Sequence, residues 1–171
     1  MPYRAPVRDI AFAMTAMADA DALKSTGTFP DYDDDVMGAV LEAAGSFSEQ
    51  VLAPINRSGD QNGATYANGA VTAAPGFADA YRQFAQGGWT GLAAPVHSGG
   101  QGLPKVLELA AYETVHSANM AFGLCPMLSL AAIEALEAHG TEHQKTHYLP
   151  RLVSGEWTGT MCLTEPQAGS D

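Results

Sequence analysis

The stretch MCLTEPQAGSD, residues 161–171, gives the clearest indication of the fold of this chain. Trp157 and two threonines precede it, and aromatic and β-branched residues favour extended strands. A strand cannot continue its ladder through Glu165-Pro166, because proline has no backbone N–H to donate. The sequence therefore predicts a strand that ends near Thr164 and leaves backbone amides free.

The residues after the proline are suited to close contact with a ligand. Ala168-Gly169-Ser170-Asp171 are small and turn-prone, so main-chain N–H groups and a hydroxyl can approach a bound molecule. Free amides and hydroxyls with little side-chain bulk form a cradle for the polar edge of a ring or for phosphates. The same stretch thus predicts a binding segment as well as a strand end.

Three segments, in this order along the chain, resemble the acyl-CoA dehydrogenase family. GWTGL at residues 88–92, with Pro95 and GGQGLP at 99–104, is similar to the first conserved loop of the family. HGTEHQK at 139–145, followed by YLP at 148–150 and Gly155-Glu156, is similar to a second segment. LTEPQAGSD at 163–171 resembles the flavin-binding signature.

The resemblance implies a fold with a helical N-terminal domain, a middle β-domain and a C-terminal helical domain. The chain is then expected to be mainly α, with the first strand of the β-domain at its C-terminal end. Residues 1–30 would be an N-terminal extension and linker, 31–155 the helical domain, and 156–171 the start of the β-domain. The extension resembles the subgroup that includes 3-methylmercaptopropionyl-CoA dehydrogenase.

The function implied by the resemblance is FAD-dependent oxidation of an acyl-CoA thioester to the 2,3-enoyl-CoA. An α-proton is abstracted and a β-hydride passes to the flavin, because no side chain can accept a hydride. The residues carried over as cofactor-binding are Met161, Cys162, Leu163, Thr164, Gly169 and Ser170, and Ser170 is also expected to contact substrate. Met161 stands where many members have an aromatic residue, which would alter packing against the ring.

No catalytic residue is expected in this chain, because the catalytic glutamate of the family would lie beyond Asp171; Glu165 belongs to the signature. The chain alone is expected neither to hold FAD tightly nor to turn over acyl-CoA. An electron-transferring flavoprotein is the implied electron acceptor, and the full protein is expected to be a homo-oligomer. Two alternatives stay open: an acyl-CoA oxidase or another flavin enzyme of the superfamily, and a non-catalytic helical interaction module.

Composition and charge narrow the possible partners. The 171 residues are 46% hydrophobic and 16% charged, as in globular proteins, and the formal net charge is -11. This charge argues against binding to nucleic acid or anionic membranes, which attract clustered Lys and Arg. No apolar run reaches the ~18 residues of a membrane helix, and no signal peptide is recognised. Two isolated cysteines, Cys125 and Cys162, suggest reduced thiols in a cytoplasmic protein.

Hydrophobic periodicity predicts helices over residues 7–18, from the acidic residues 31–35 to between 54 and 59, from 75 to 86, from 104 to 118 and from 119 to 138. Residues 19–30 are predicted to be a linker, and Asn68-Gly69 the turn of a small hairpin. Residues 119–138 are apolar nearly all round, which predicts a buried central helix that is bent or interrupted near Gly123 and Pro126. In the family this region borders the acyl-chain cavity.

Three further patterns are weighed against simpler interpretations. Residues 31–42 match a calcium loop in part, but Val36 stands where that loop needs glycine. The glycines at 99, 100 and 102 lack dinucleotide-binding spacing and are interpreted as turns before a helix that begins with Pro104. In the family this loop lies near the flavin and acyl site, so Ala94, Pro95 and His97 are minor candidates for lining that site. Of His139, His143 and His147, only the last two share a predicted helix, so no metal site is expected.

Overall fold

Eight α-helices and one β-hairpin form the regular structure of residues 2–162 and 164–169, the part of the chain that the computed structural model describes. In chain order they are α1 (Val7–Ala16), α2 (Ala20–Ser25), α3 (Asp34–Phe47), α4 (Ala53–Asn62), β1 (Thr65–Ala67), β2 (Ala70–Thr72), α5 (Phe77–Gln86), α6 (Lys105–Ala118), α7 (Met120–His139) and α8 (Glu142–Val153). The prediction of a mainly helical chain is confirmed.

Several elements begin or turn where local sequence signals predict. The carboxylate of Asp33 accepts a hydrogen bond from the backbone N–H of Val36 and so caps α3. Asn68 and Gly69 both adopt positive φ and join β1 to β2 in an antiparallel pair. Thr141 and Gln144 form a reciprocal capping box at the start of α8.

A π-helical turn, Ser48–Leu52, joins α3 to α4 in one long helical segment. The Ser48 hydroxyl is buried and lies 2.9 Å from Thr114 Oγ1 of α6. Asn119 Nδ2 donates a hydrogen bond to the main chain at the end of the turn. These side chains satisfy polar groups around the wider turn. The segment therefore continues to the end of α4, beyond its predicted stop between residues 54 and 59.

The central helix of the molecule is α6. It packs against α1, α3 and α7, and eight of its residues are buried. Phe84 of α5 is fully buried and makes edge-to-face contacts with Tyr112 of α6 and Phe122 of α7, with ring centroids 5.9 and 5.6 Å apart. Phe77 and Tyr81, at helical spacing before Phe84, also pack against the core, so the aromatic side of α5 faces the interior.

The prediction that residues 119–138 form a buried central helix is wrong. Only one face of α7 packs against α6 and α8, and Met120, Leu124 and Met127 are 57%, 48% and 40% exposed. Hydropathy records how apolar a helix is, but not how many neighbours cover it. Gly123 and Pro126 both lie within the continuous helix and are buried.

By length and composition, α7 could also cross a membrane. An 18-residue window of this 20-residue helix has the length and composition of a spanning helix, but it contains Glu134 and Glu137, so no uninterrupted apolar run reaches 18 residues. Core helices of globular proteins pass the same test, and 28% of this window is buried.

The N-terminal segment belongs to the same core. Ile10 and Met14 of α1 are buried in the main apolar cluster. Ahead of α1, the Ala5 N–H and the Arg4 guanidinium both donate to the Glu49 carboxylate, at 3.0 and 2.6 Å. The Ala5 hydrogen bond, followed by that from Arg4, lowers the pKa of Glu49. The N-terminal arm is thus fixed against the long helical segment.

The predicted linker, residues 19–30, contains the short helix α2. Ala20 is buried and Leu23 packs against the core cluster, so two apolar side chains anchor a stretch that its Asp, Ser and Gly content marks as irregular. Local composition does not report such tertiary anchoring.

The predicted strand ahead of Glu165-Pro166 is not formed in the described residues. Residues 158–162 have no strand pairing, and the only β-type contact of this region is an isolated bridge between Glu165 and Ala168. A strand exists only when a partner completes its ladder, and the described residues supply no such partner here.

The Phe84 contacts generate a stability prediction. Replacing Phe84 with Ala should reduce the free energy of unfolding by about 3–5 kcal/mol, because it leaves a cavity among four aromatic rings. Urea denaturation followed by circular dichroism measures this change. Phe12→Ala, at a helix position that is 68% exposed, is the matched control and should change stability by less than about 1 kcal/mol. Equal effects of the two variants would contradict the assigned core.

Candidate functional site

The segment around Pro166 forms a tight turn that faces solvent. The Glu165 N–H donates to the Ala168 carbonyl at 2.8 Å, and the Ala168 N–H donates back to the Glu165 carbonyl at 3.2 Å. These reciprocal bonds close a turn over Pro166 and Gln167. The turn thus pairs the backbone N–H and carbonyl groups of Glu165 and Ala168 with each other.

The predicted cofactor-binding residues that the structure describes are all exposed and outside helices. They are Met161, Cys162, Thr164 and Gly169. Leu163 and Ser170 lie outside the described residues. Within the described residues, the amides of Met161, Cys162 and Thr164 donate no backbone hydrogen bond, and a Cβ added to Gly169 would meet nothing within 4 Å. The segment therefore offers free donors and open space; its binding of a cofactor stays a prediction.

The stretch that leads to this turn contacts the middle of α7. The Gly159 N–H donates to the buried Ser129 hydroxyl at 3.0 Å. A Cβ on Gly159 would lie only 2.6 Å from the Cβ of Ala132. On the other side, the Arg151 guanidinium stacks on the Trp157 ring at 4.5 Å. These contacts place the start of the segment beside the helix that carries the exposed apolar face.

That apolar face is the second component of the candidate site. It consists of Met120, Leu124 and Met127, three flexible, exposed side chains at helical spacing on α7. Such residues adapt to irregular apolar ligands. Cys125 lies on a neighbouring face, and burial raises the pKa of its thiol.

The glycine-rich loop ahead of α6 is packed tightly onto itself. Main-chain hydrogen bonds join Gln101 to Gly91, Gly102 to Ala94 and Leu103 to Leu92, at 2.8 to 3.0 Å. A side chain on Gly100 would collide with the Ala94 carbonyl. This geometry confirms turns before a helix, with Pro104 as the residue just before α6 rather than its first position.

Ala94 and Pro95 of this loop line a cavity between α6 and α7, and His97 reaches its rim, 3.5 Å from Glu137. None of the described residues after Val153 lines this cavity. The structure thus separates these three minor candidates from the segment around Pro166.

Sequence reasoning missed the charged group in that cavity. Lys105 and Glu108 of α6 form an ion pair, and Lys105 also pairs with Glu134 of α7. Glu108 is 1% exposed and accepts a hydrogen bond from the Ala93 N–H at 3.3 Å. Burial alone lowers the pKa of Lys105, but the bonds to both glutamates outweigh it and raise the pKa. The sequence signal that could have revealed this group is Glu108, a charged residue on the otherwise apolar side of α6.

The histidines of α8 stack on one another. The rings of His143 and His147 lie 6.1 Å apart and nearly parallel, and His147 also contacts Tyr148 and Trp157. His139 ends α7, so only two of the three share a helix, as predicted. Among residues 2–162 and 164–169, no group of three His, Cys, Asp or Glu side chains could hold a metal ion.

The close approach of Gly159 to α7 generates a test. Gly159→Ala should push the segment off α7 and break the bond to Ser129, so the amides of residues 157–162 should exchange hydrogen faster. The unfolding free energy should fall by roughly 1–3 kcal/mol, the usual effect of overpacking. Hydrogen exchange with mass spectrometry measures the first effect. Thr158→Ala, at the exposed neighbouring position, is the control. Unchanged exchange in the glycine variant would contradict the described path.

Comparison with known proteins gives the family of the chain. Residues 34–156 match the family model described as "Acyl-CoA dehydrogenase, N-terminal domain". The whole chain is 46% identical over 171 residues to 3-methylmercaptopropionyl-CoA dehydrogenase from Ruegeria pomeroyi, of which it covers 29%. It is 31% identical over 173 residues to a butyryl-CoA dehydrogenase from Syntrophomonas wolfei, with 99% of this chain and 28% of that protein covered.

A solved structure has the same fold. Butyryl-CoA dehydrogenase from Megasphaera elsdenii superposes with a TM-score of 0.66 at 25% identity, over 81% of this chain and 35% of that one. Because it covers 29% and 28% of the two curated relatives described above, the chain spans less than a third of their length. With the model match over most of the chain, these findings show that the chain belongs to the acyl-CoA dehydrogenase family and contains its N-terminal domain.

Proposed function

We propose that this chain is the N-terminal portion of a flavin-dependent acyl-CoA dehydrogenase, called the parent enzyme below. The parent enzyme would oxidise an acyl-CoA thioester to the 2,3-enoyl-CoA. One observation carries the proposal: the segment around Pro166 is exposed, and the amides of Met161, Cys162 and Thr164 donate no hydrogen bond within the described residues. The polar edge of a reducible ring needs such donors, and a separate apolar surface for an acyl chain is present on α7.

Two features of the described residues support flavin binding in this segment. The Thr164 hydroxyl is exposed and can donate to the polar edge of the ring, and the amides near it can stabilise negative charge there. The open space around Gly169 admits a phosphate or ribose. FAD, when bound, supplies the hydride acceptor that protein side chains lack.

The apolar face of α7 would border the acyl chain. Met120, Leu124 and Met127 offer a soft, unbranched or γ-branched surface without charge. Such a wall fits an uncharged aliphatic or thioether chain and disfavours a charged one, because a buried charge requires a partner. Since the relative with 46% identity is named for 3-methylmercaptopropionyl-CoA, that thioester is the first substrate to test.

The remaining parts of the reaction would come from outside these 171 residues. The two curated relatives are more than three times as long as this chain, and we assign the base that removes the α-proton to that additional length. An electron-transferring flavoprotein would reoxidise the parent enzyme, which would be a homo-oligomer in the cytoplasm. The 171-residue chain alone should bind FAD weakly and should not turn over acyl-CoA.

Anaerobic flavin reduction tests the proposal. The purified parent enzyme should be yellow, and 3-methylmercaptopropionyl-CoA should bleach the visible absorbance of its flavin. Thr164→Ala should weaken FAD binding or slow this bleaching by about 2- to 10-fold, the effect of one lost hydrogen bond. Thr164→Ser keeps the hydroxyl and should restore FAD binding and the rate of bleaching. Thr160→Ala, at an exposed position, is the control.

Each other outcome has a defined meaning. A colourless parent enzyme that no acyl-CoA affects would contradict the proposal and favour an interaction module. Rapid reoxidation of the reduced flavin by oxygen would identify an acyl-CoA oxidase instead. Equal behaviour of Thr164→Ala and Thr160→Ala would contradict the role assigned to Thr164 while leaving the reaction in place.

A further inference from the structure

A groove between α1 and α6 lies outside the region that the proposed function uses. It has a volume of about 550 Å³ and is open to solvent. We call it the α1–α6 groove and define it by Met14 and Met17 on the α1 side and by Val106 and Leu109 on α6. One of its walls, α1, precedes residues 34–156, which match the family model. The groove is therefore formed in part by the N-terminal extension.

Two large apolar side chains of the α1–α6 groove are exposed to solvent. Met17 is 82% exposed and Leu109 is 61% exposed, although eight other residues of α6 are buried. Large apolar side chains that share one surface patch often mark a site of protein interaction. Methionine is flexible and adapts to irregular partners. The groove thus has an adaptable apolar floor that the described residues leave uncovered.

The charged side chains of the groove lie at one end. The Tyr3 hydroxyl, ahead of α1, donates to the Thr114 carbonyl near the end of α6 at 3.2 Å, so α1 begins where α6 ends. The two helices therefore run in broadly opposite directions. Asp9 in the first turn of α1 and Glu113 in the second half of α6 consequently share one end of the groove, and both are exposed.

The charge of this end determines which partner the groove can accept. Among the residues that the structure describes, no Lys, Arg or His lines the groove, and neither Asp9 nor Glu113 forms an ion pair. A second copy of the chain would add its own two carboxylates to the contact, and each copy carries a net charge of -11. Repulsion therefore disfavours a second copy, and likewise an anionic membrane surface. A positively charged partner is favoured instead.

The dimensions of the groove suit a short helix. Its α1 wall has 10 helical residues, which extend about 15 Å at 1.5 Å per residue. Two broadly antiparallel helices leave an elongated apolar surface between them, and an amphipathic helix covers such a surface with residues at i, i+3, i+4 and i+7. A partner helix of about three turns therefore matches the length of the groove.

We propose that the α1–α6 groove docks a basic amphipathic helix of a partner protein. The apolar side chains of that helix lie on Met17, Val106 and Leu109, and lysine or arginine side chains at one end pair with Asp9 and Glu113. The apolar contacts supply most of the affinity, because exposed ion pairs contribute little. The charges fix the direction of the docked helix and exclude acidic partners.

Binding of synthetic helical peptides to the 171-residue chain tests the proposal. The probe is an acetylated and amidated peptide of about 14 residues with leucines along one face and lysines on the other. Fluorescence anisotropy of the labelled peptide at low salt measures its affinity, and we expect one saturable site. A peptide with glutamates in place of the lysines should not bind. A peptide with serines in place of the leucines should bind at least about tenfold more weakly.

A pair of apolar-to-lysine variants locates the site on the chain. Leu109→Lys should weaken binding of the leucine–lysine peptide at least about tenfold, because it places a charge on the apolar floor and repels the lysines of the peptide. Phe12→Lys, at an exposed position of α1 outside the groove, is the matched control and should leave the affinity unchanged. Circular dichroism checks that both variants keep the helical content of the unmodified chain.

A pair of double variants tests the charge of the groove. Asp9→Asn with Glu113→Gln should weaken the same peptide by about 3- to 10-fold at low salt, the effect of two exposed ion pairs. It should also reduce the dependence of the affinity on salt. Asp60→Asn with Glu156→Gln removes two exposed carboxylates outside the groove, so it changes the net charge equally and should leave the affinity unchanged.

Three outcomes would overturn the proposal. Equal affinity for the leucine and serine peptides, or equal effects of the two double variants, would mean general attraction to an acidic surface. Unchanged binding in Leu109→Lys, or an equal loss in Phe12→Lys, would place the peptide elsewhere on the chain. A dimer of the free chain in sedimentation velocity, dissociated by Leu109→Lys, would assign the groove to a second copy of the chain.

Discussion

The burial of α6 on several sides is the constraint on which the rest of the structure depends. Leu107 and Val115 pack into the apolar core, and Thr114 and Glu108 are buried with them. A helix that buries polar groups must pair them, because an unpaired buried group costs about 1–3 kcal/mol. The Thr114 hydroxyl therefore hydrogen-bonds with the Ser48 hydroxyl at the π-helical turn. The Glu108 carboxylate accepts a hydrogen bond from the Ala93 N–H and forms an ion pair with Lys105.

These pairings determine what is left for α7. Because α6 takes the central position, α7 packs on it with one face and leaves the other open. The bond from Gly159 to Ser129 then lays the segment after α8 along the same helix. The open apolar face of Met120, Leu124 and Met127 belongs to the N-terminal half of the same helix, about half a turn away from Ser129. The segment and the apolar face therefore use different sides of α7.

Features that depend on a few neighbouring residues could be predicted from the sequence. The Asn68-Gly69 turn is such a prediction, and the Asp33 cap and the Thr141 capping box are equally local, because each joins residues three positions apart. The family resemblance likewise depended on short motifs in a fixed order, and the comparisons confirmed it.

Features that depend on distant partners could not be predicted in this way. The exposed face of α7 and the missing strand ahead of Glu165 both reflect which neighbours are present, and neither hydropathy nor β-propensity contains that information. The cavity between α6 and α7 is lined by Lys105 and Glu108 of α6 and by Glu134 and Glu137 of α7, and only the packing of the two helices brings these residues together. The cofactor role of Met161, Cys162, Thr164 and Gly169 stays a prediction.

The most direct measurement is a crystal structure of the parent enzyme with FAD and an unreactive thioether analogue of its substrate. The flavin ring should lie within hydrogen-bond distance of the Thr164 hydroxyl, with the analogue's acyl chain against Met120, Leu124 and Met127. A flavin bound elsewhere would contradict the role assigned to Thr164. An α7 face covered by protein with no ligand beside it would contradict the acyl-chain site.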